Sequence, residues 1–213
     1  MLGSTVAALL LSGAILLSGA ARKQEALPVR GTIGEFSLTD STGNAFGSDQ
    51  LKGRICVADF IFTRCDGLCP LLTKEMKKLH ETFANNPAVQ LVSVTVDPEF
   101  DTPEVLAEFA RHNDIDTGNW HLLTGTREAI RSFMVEECMI GMPDDPLLHS
   151  DRLVLWDQEM RIRGYYPLSD PEAQGSLAKD ISRLLRASRD SRTTHQPLDD
   201  QPSQIKTHEG LQL

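Results

Sequence analysis

From residue 31 the chain alternates short apolar runs with longer stretches in which apolar positions return every third or fourth residue. In GTIGEFSLTDSTGNAFGSDQLKGR (31–54), Phe36 and Leu38 alternate with polar neighbours, a Ser-Thr-Gly-Asn turn comes next and Phe46 returns. That pattern predicts a β-hairpin. ICVADFIF (55–62) is a run of β-formers, as expected of a strand buried on both faces. Leu72, Met76, Leu79 and Phe83 recur at helical spacing, predicting a helix from about Pro70 to Ala84. VQLVSVTVD (89–97) reads as a second buried strand. Thr102 as N-cap and Pro103 at the first helical position mark a second helix, and Thr126 can cap a third through about Cys138, with Ile130, Phe133 and Met134 inward.

HSDRLVLWDQEMRIRGYYPL (149–168) sets Leu153 and Leu155 against Val154 and Trp156, turns at Asp157-Gln158 and returns through Ile162 and Tyr165, a second hairpin. Leu177, Ile181, Leu184 and Leu185 line one side of a last amphipathic helix. The order strand, helix, strand, helix, helix, hairpin, helix implies a parallel βαβ unit, an antiparallel ribbon and a covering helix. This is an α/β chain of thioredoxin-like order, with a central mixed sheet, an N-terminal hairpin and flanking helices.

The flanks break the periodicity. Residues 1–21, MLGSTVAALLLSGAILLSGAA, carry no charged side chain and are closed by Arg22 and Lys23. Their length suits a spanning helix and their small residues suit signal cleavage. No cysteine lies near the end of the segment, which excludes lipidation there. The positive-inside rule, applied alone, would keep the chain from Arg22 onward in the cytoplasm. The reading adopted is export to the outer side of an inner membrane (the periplasm or its equivalent), the chain being anchored or secreted through residues 1–21. Residues 22–30 form a linker, 31–188 the folded domain, and 189–213 a polar tail expected to be disordered, in which His195 and His208 are solvated.

Composition narrows the function. With 213 residues, 40% of them hydrophobic and 24% charged, the chain can build one core plus extensions. A net charge of -9 leaves no basic stripe to neutralise phosphates, which argues against nucleic acid and leaves a protein, a small molecule or a cation as partner.

Four cysteines, at 56, 65, 69 and 138, are too few and too uneven for a disulfide scaffold. Cys56 and Cys138 read as small buried hydrophobes. Cys65 and Cys69 differ, because they stand where a strand gives way to a helix and Cys69 immediately precedes Pro70. Free N–H groups and the positive end of the helix dipole favour a thiolate there, and Arg64 adds a cation beside the pair. Three intervening residues let the sulfurs converge, either to bond each other or to hold one ion. Two soft thiolates select Cu(I), Zn(II) or an iron–sulfur centre, so a third donor is worth seeking. His149 is the best candidate, since it begins the strand of the later hairpin, whose start can lie beside the helix N-terminus. His80, His112 and His121 read as structural or surface histidines, and Met139 and Met142 as packing residues rather than thioether donors.

Three segments resemble the Sco/SenC family of thioredoxin-fold copper proteins associated with cytochrome c oxidase assembly. FIFTRCDGLCP is similar to that family's strand and C-x-x-x-C-P signature, VSVTVDPEFDTPEVLAEFA to its DPxxDTP segment, and LLHSDRLVLWDQEMRIRGYY to its histidine-bearing hairpin. The resemblance implies that Cys65, Cys69 and His149 match the copper ligands, for copper as Cu(I) or Cu(II). Asp97-Pro98 and Asp101-Thr102-Pro103 match the second motif, which ends a strand and caps a helix.

These readings leave two functions. One is a metallochaperone that hands copper to the dinuclear site in the copper-bearing subunit of cytochrome c oxidase, or to another copper or thiol partner protein. The alternative is a thiol-disulfide oxidoreductase with Cys65 and Cys69 as its catalytic redox pair, which has no need of His149 as a ligand. A peroxidase would require a Thr-x-x-Cys pattern that this chain lacks.

Overall fold

The computed structural model describes residues 26–141 and 150–194. Residues 1–21, Met142, His149, His195 and His208, with the expectations attached to them, lie outside the described residues.

The two apolar runs form the centre of the sheet. Strand β4 (Ile55–Ile61) pairs in parallel with β5 (Val89–Thr95), Ile55 opposite Val89 through Ile61 opposite Thr95. Every residue of β4 is buried, because helices cover both faces. Strands β1 (Gly31–Thr32), β2 (Ser37–Asp40) and β3 (Ala45–Gly47) come earlier in the chain, before the single turn α1 (Ser48–Leu51). Strand β6 (Trp120–Thr124) extends the parallel set beside β5. Strands β7 (Arg152–Trp156) and β8 (Arg161–Pro167) are the later hairpin, antiparallel to each other. One mixed eight-stranded sheet results, in the order β1-β8-β7-β4-β5-β6-β2-β3.

Alternation along β4 assigns its residues to two cores. Ile55, Val57 and Ile61 face helices α2 (Cys69–Phe83), α3 (Pro103–His112) and α5 (Pro171–Thr194), meeting Leu72, Met76, Leu106, Leu177 and Ile181. Cys56, Ala58 and Phe60 face the opposite layer, where Leu38, Phe46, Ile130, Phe133 and Met134 close the second core. The caps act as the sequence implies. Thr102 accepts from the Val105 N–H at 3.4 Å, and Thr126 from that of Ala129 at 3.1 Å. Asp40 Oδ1 accepts the N–H groups of Thr42 and Asn44, closing the first hairpin.

Four features depart from the sequence reading. WHLLT forms β6, a strand that the periodicity leaves unmarked. The third helix is α-helical only over α4 (Arg127–Arg131) and widens into a π-helical stretch, Ser132–Glu137, where the Cys138 N–H reaches the Phe133 carbonyl at 2.8 Å. That wider turn brings Phe133, Met134 and Cys138 all into the core. Helix α5 continues to Thr194, beyond Arg189 where the polar tail begins. The end of the linker docks on the domain, the Arg30 N–H bonding the Ile162 carbonyl at 2.8 Å and the Leu27 carbonyl accepting from Arg163. No helix among the described residues is long and apolar enough to cross a membrane.

Candidate metal centre

Helix α2 begins at Cys69, and its N-cap position is held by Leu68, whose side chain cannot accept a hydrogen bond. The first N–H groups of the helix are therefore open to another acceptor. Cys65 supplies it. The loop leaving β4 turns back, with the Cys65 N–H on the Phe62 carbonyl at 3.2 Å, and sets the Cys65 sulfur against the backbone N–H groups of Gly67, Leu68 and Cys69 and against the Cys69 thiol. Partial burial works against a charged Cys65 sulfur. The donated hydrogen bonds outweigh it and hold this thiol below its ordinary value.

Cys69 is the opposite case. It is only 3% exposed, and its thiol is pushed up to about 12, first by burial, then by hydrogen bonding to Cys65 and by the nearby charges of Cys65 and Asp59. The Phe62 backbone pulls weakly the other way. The pair thus joins one half-exposed, readily ionised sulfur to one sheltered sulfur that keeps its proton. Both cysteines are free thiols with their sulfurs in contact.

The loop is held from below by Asp101, which the sequence reading placed in the second motif without giving it this role. Asp101 is fully buried, and its carboxylate accepts the Thr63 N–H at 3.0 Å, the Thr63 hydroxyl at 2.5 Å and the Thr95 hydroxyl at 2.5 Å. The end of β5, the start of α3 and the loop that carries Cys65 are thereby tied to one carboxylate. The DPEFDTP segment does end a strand and cap a helix, but its second aspartate also anchors the cysteine loop. Nothing in periodicity marks that role, because it joins residues 38 positions apart.

The Arg64 guanidinium has partners of its own. It pairs with Asp97 at 2.6 Å and lies 4.0 Å from the centroid of the Phe100 ring.

The remaining candidates are structural. Cys56 and Cys138 are fully buried, and burial pushes both thiols up. His121 bonds Gln90 at 2.8 Å and stacks on Phe46, while the His80 ring lies 6.0 Å from that of Trp120. His112 sits in the last turn of α3 and Met139 is exposed. Among the described residues no three His, Cys, Asp or Glu side chains are grouped to hold a metal ion. The two sulfurs form the described part of any such site. His149, the proposed third donor, precedes β7 by three residues. The antiparallel register that pairs Cys56 with Trp156 and Ala58 with Val154 runs β7 so that its first residues lie toward the C-terminal end of β4. That is the end from which the cysteine loop leaves.

Comparison with known proteins matches residues 24–186 to the family described as SCO1/SenC. A SCO1 protein homolog of Bacillus subtilis (strain 168) is 31% identical over 134 residues, spanning 60% of this chain and 69% of the relative. Among solved structures, a SCO1/SenC family lipoprotein from Bacillus anthracis aligns with a TM-score of 0.64 at 32% identity, covering 74% of this chain and 99% of that one. BsSco, described as having a disulfide switch and as a member of the Sco family of cytochrome c oxidase assembly proteins, aligns at 0.65 with 27% identity over 76% of this chain and 98% of its own. The fold also matches copper-bound ScoI of Bradyrhizobium japonicum, with a TM-score of 0.58 and 23% identity over 72% of this chain and 99% of that one.

Proposed function

The chain belongs to the SCO1/SenC family, and from that premise we propose that it is a copper-binding metallochaperone that serves the assembly of cytochrome c oxidase. The cargo is copper, held as Cu(I) by the sulfurs of Cys65 and Cys69 and the imidazole of His149. The recipient is the copper-bearing subunit of the oxidase. The observation that carries this reading is the contact between the two sulfurs at the start of α2. Two thiols that already touch, one of them favoured as thiolate, need little rearrangement to chelate a soft monovalent ion. The direction of β7 supports His149 as the third donor. Residues 1–21 would deliver the domain to the exported side of the membrane, as an anchor or as a cleaved signal.

The unequal thiols favour a second reading, a thiol-disulfide oxidoreductase in which Cys65 attacks and Cys69 resolves. One variant separates the two. His149→Ala should weaken Cu(I) binding by about tenfold to a hundredfold, the range typical of lost support around a metal. Exchange with a dithiol partner should persist, since thiolate character at Cys65 comes from the hydrogen bond of the Cys69 thiol and from backbone N–H groups. Copper affinity that is unchanged while exchange collapses would reverse the assignment.

A further inference from the structure

At the end of the sheet away from the cysteines, a cleft of about 770 Å³ opens between the incoming chain at Ala26, Leu27 and Val29, the β7–β8 turn and the second half of α5. The strands fix its distance from the sulfurs. Gly53 and Arg54 line the cleft directly before β4, the Gly53 N–H bonding the Gln158 carbonyl of the β7–β8 turn at 3.0 Å, whereas the cysteine loop leaves the far end of β4. The seven residues of β4 rise about 3.3 Å each, so about 20 Å separates the two.

The walls of the cleft are of two kinds. Leu27, Val29, Leu184 and Ala187 are apolar, and Val29 is 55% exposed. The polar wall sets three guanidinium groups, of Arg54, Arg161 and Arg163, against the carboxylates of Asp157 and Glu159. Both carboxylates are already committed. Asp157 accepts the N–H groups of Glu159 and Arg161 and a bond from each of the Arg161 and Arg163 guanidinium groups, while Glu159 accepts from Arg161 at 2.7 Å. Arg54 donates to the Pro87 carbonyl at 2.8 Å and has no carboxylate within ion-pair distance among the described residues. Arg163 is 8% exposed, and its Nε–H, shut off from water, has no acceptor among the described residues. The cleft thus holds one cation that no acid balances and one guanidinium N–H that nothing uses, beside an aliphatic wall. A phosphate-bearing amphiphile has the matching features, an anion that takes guanidinium N–H groups and a hydrocarbon part that covers aliphatic side chains.

The path of the chain selects the source of that phosphate. Ala26 lines the cleft, and the apolar segment 1–21 ends five positions earlier. An extended residue spans at most about 3.6 Å, which keeps the cleft within about 18 Å of the end of that segment. With residues 1–21 in a bilayer, headgroups are the anions that the cleft meets.

We propose that this cleft docks on the membrane surface, taking the phosphate of an anionic phospholipid at Arg54 and Arg163 while Leu27, Val29, Leu184 and Ala187 lie against its glycerol and upper acyl carbons. The contact orients the domain. It holds the cysteine loop about 20 Å farther out, with the half-exposed Cys65 open to a partner above the same membrane. The net charge of -9 repels the rest of the chain from an anionic surface, which confines the contact to this end.

The proposal rests on the reading of residues 1–21 as membrane-inserted, and the test keeps the two apart. The full chain is reconstituted into phosphatidylcholine vesicles containing phosphatidylglycerol with a photoactivatable group near its headgroup, and adducts are located by mass spectrometry after flotation. A chain that fails to float with the vesicles refutes the membrane reading and the docking with it. In the floated chain, adducts are expected on residues 26–29 and 184–188, and adducts confined to residues 1–25 overturn the docking alone. Arg54→Gln changes an exposed side chain and keeps a donor for the Pro87 carbonyl. In this variant the ratio of cleft adducts to adducts on residues 1–21 should fall by about fivefold, which corresponds to about 1 kcal/mol per basic side chain at an anionic surface. An unchanged ratio overturns the proposal. Soluble glycerol phosphate, which lacks the acyl chains, should leave the cleft adducts in place; their loss while those on residues 1–21 persist would show a site for a soluble phosphate and overturn the docking as well.

Discussion

Replacing Asp101 by Ala tests whether one buried carboxylate holds the cysteine loop in place. The substitution removes the acceptor of three hydrogen bonds, from the Thr63 N–H, the Thr63 hydroxyl and the Thr95 hydroxyl. Hydrogen bonds to a charged group contribute about 1.5–3 kcal/mol each, and a buried donor left unpaired costs about 1–3 kcal/mol. These contributions are not additive, since the two Thr63 donors share one loop and the hydroxyls can turn to other acceptors. Burying the carboxylate also carries its own desolvation cost, which the variant recovers. The net loss should be about 2–4 kcal/mol, since the donors left behind are neutral and only some of them stay unpaired. Urea unfolding measures it as a fall in midpoint at unchanged slope. The second readout is local. Thr63 stands two residues before Cys65, so a released loop carries the Cys65 sulfur away from the N–H groups of Gly67, Leu68 and Cys69, and the thiol rises toward its ordinary value. Alkylation of Cys65 by iodoacetamide at neutral pH should then slow by about threefold or more. A loss below about 1 kcal/mol would refute the network's energetic role. A large loss with unchanged Cys65 reactivity would show that Asp101 supports the fold without positioning the sulfur.

The same geometry sets two further outcomes. Arg64→Ala should change stability by less than about 1 kcal/mol, since its pair with Asp97 is exposed, and should leave the alkylation rate of Cys65 within about twofold; a larger fall in rate would return Arg64 to the role of activating cation. Asp59 makes stability depend on pH in a definite direction, which urea midpoints from about pH 4 to 8 will read. Its carboxyl holds a proton more tightly in the folded chain, at about 7, than at its ordinary 3.8, so its contribution to stability is fully present below about pH 4 and is lost as pH rises through 7. The gap corresponds to about 4 kcal/mol at about 1.36 kcal/mol per tenfold in proton affinity. Wild type should therefore lose stability over that window relative to Asp59→Asn, and parallel curves would show that Asp59 titrates alike in both states.

What the sequence determined on its own was whatever depends on neighbours along the chain. ICVADFIF and VQLVSVTVD declare buried strands because a parallel strand covered on both faces has no room for polar alternation. Thr102-Pro103 and Thr126 mark helix starts because a cap needs only a side chain and an N–H three residues on. The position of Cys65 and Cys69 at the start of a helix is local in the same sense. Tertiary structure decided the rest. It made WHLLT a strand by offering it the edge of β5, and it widened the helix after Arg131 so that Cys138 could join the core. It set the Arg64 guanidinium on Asp97 and Phe100. It also separated two cysteines that look alike in sequence, exposing one sulfur to helix N–H groups and sinking the other among aliphatic side chains. Asp59 and Asp101 are the clearest cases. Each is one letter in a strand or a turn, and each takes its character from groups that only folding brings near, because burial and hydrogen-bond partners are properties of the assembled core and not of the chain.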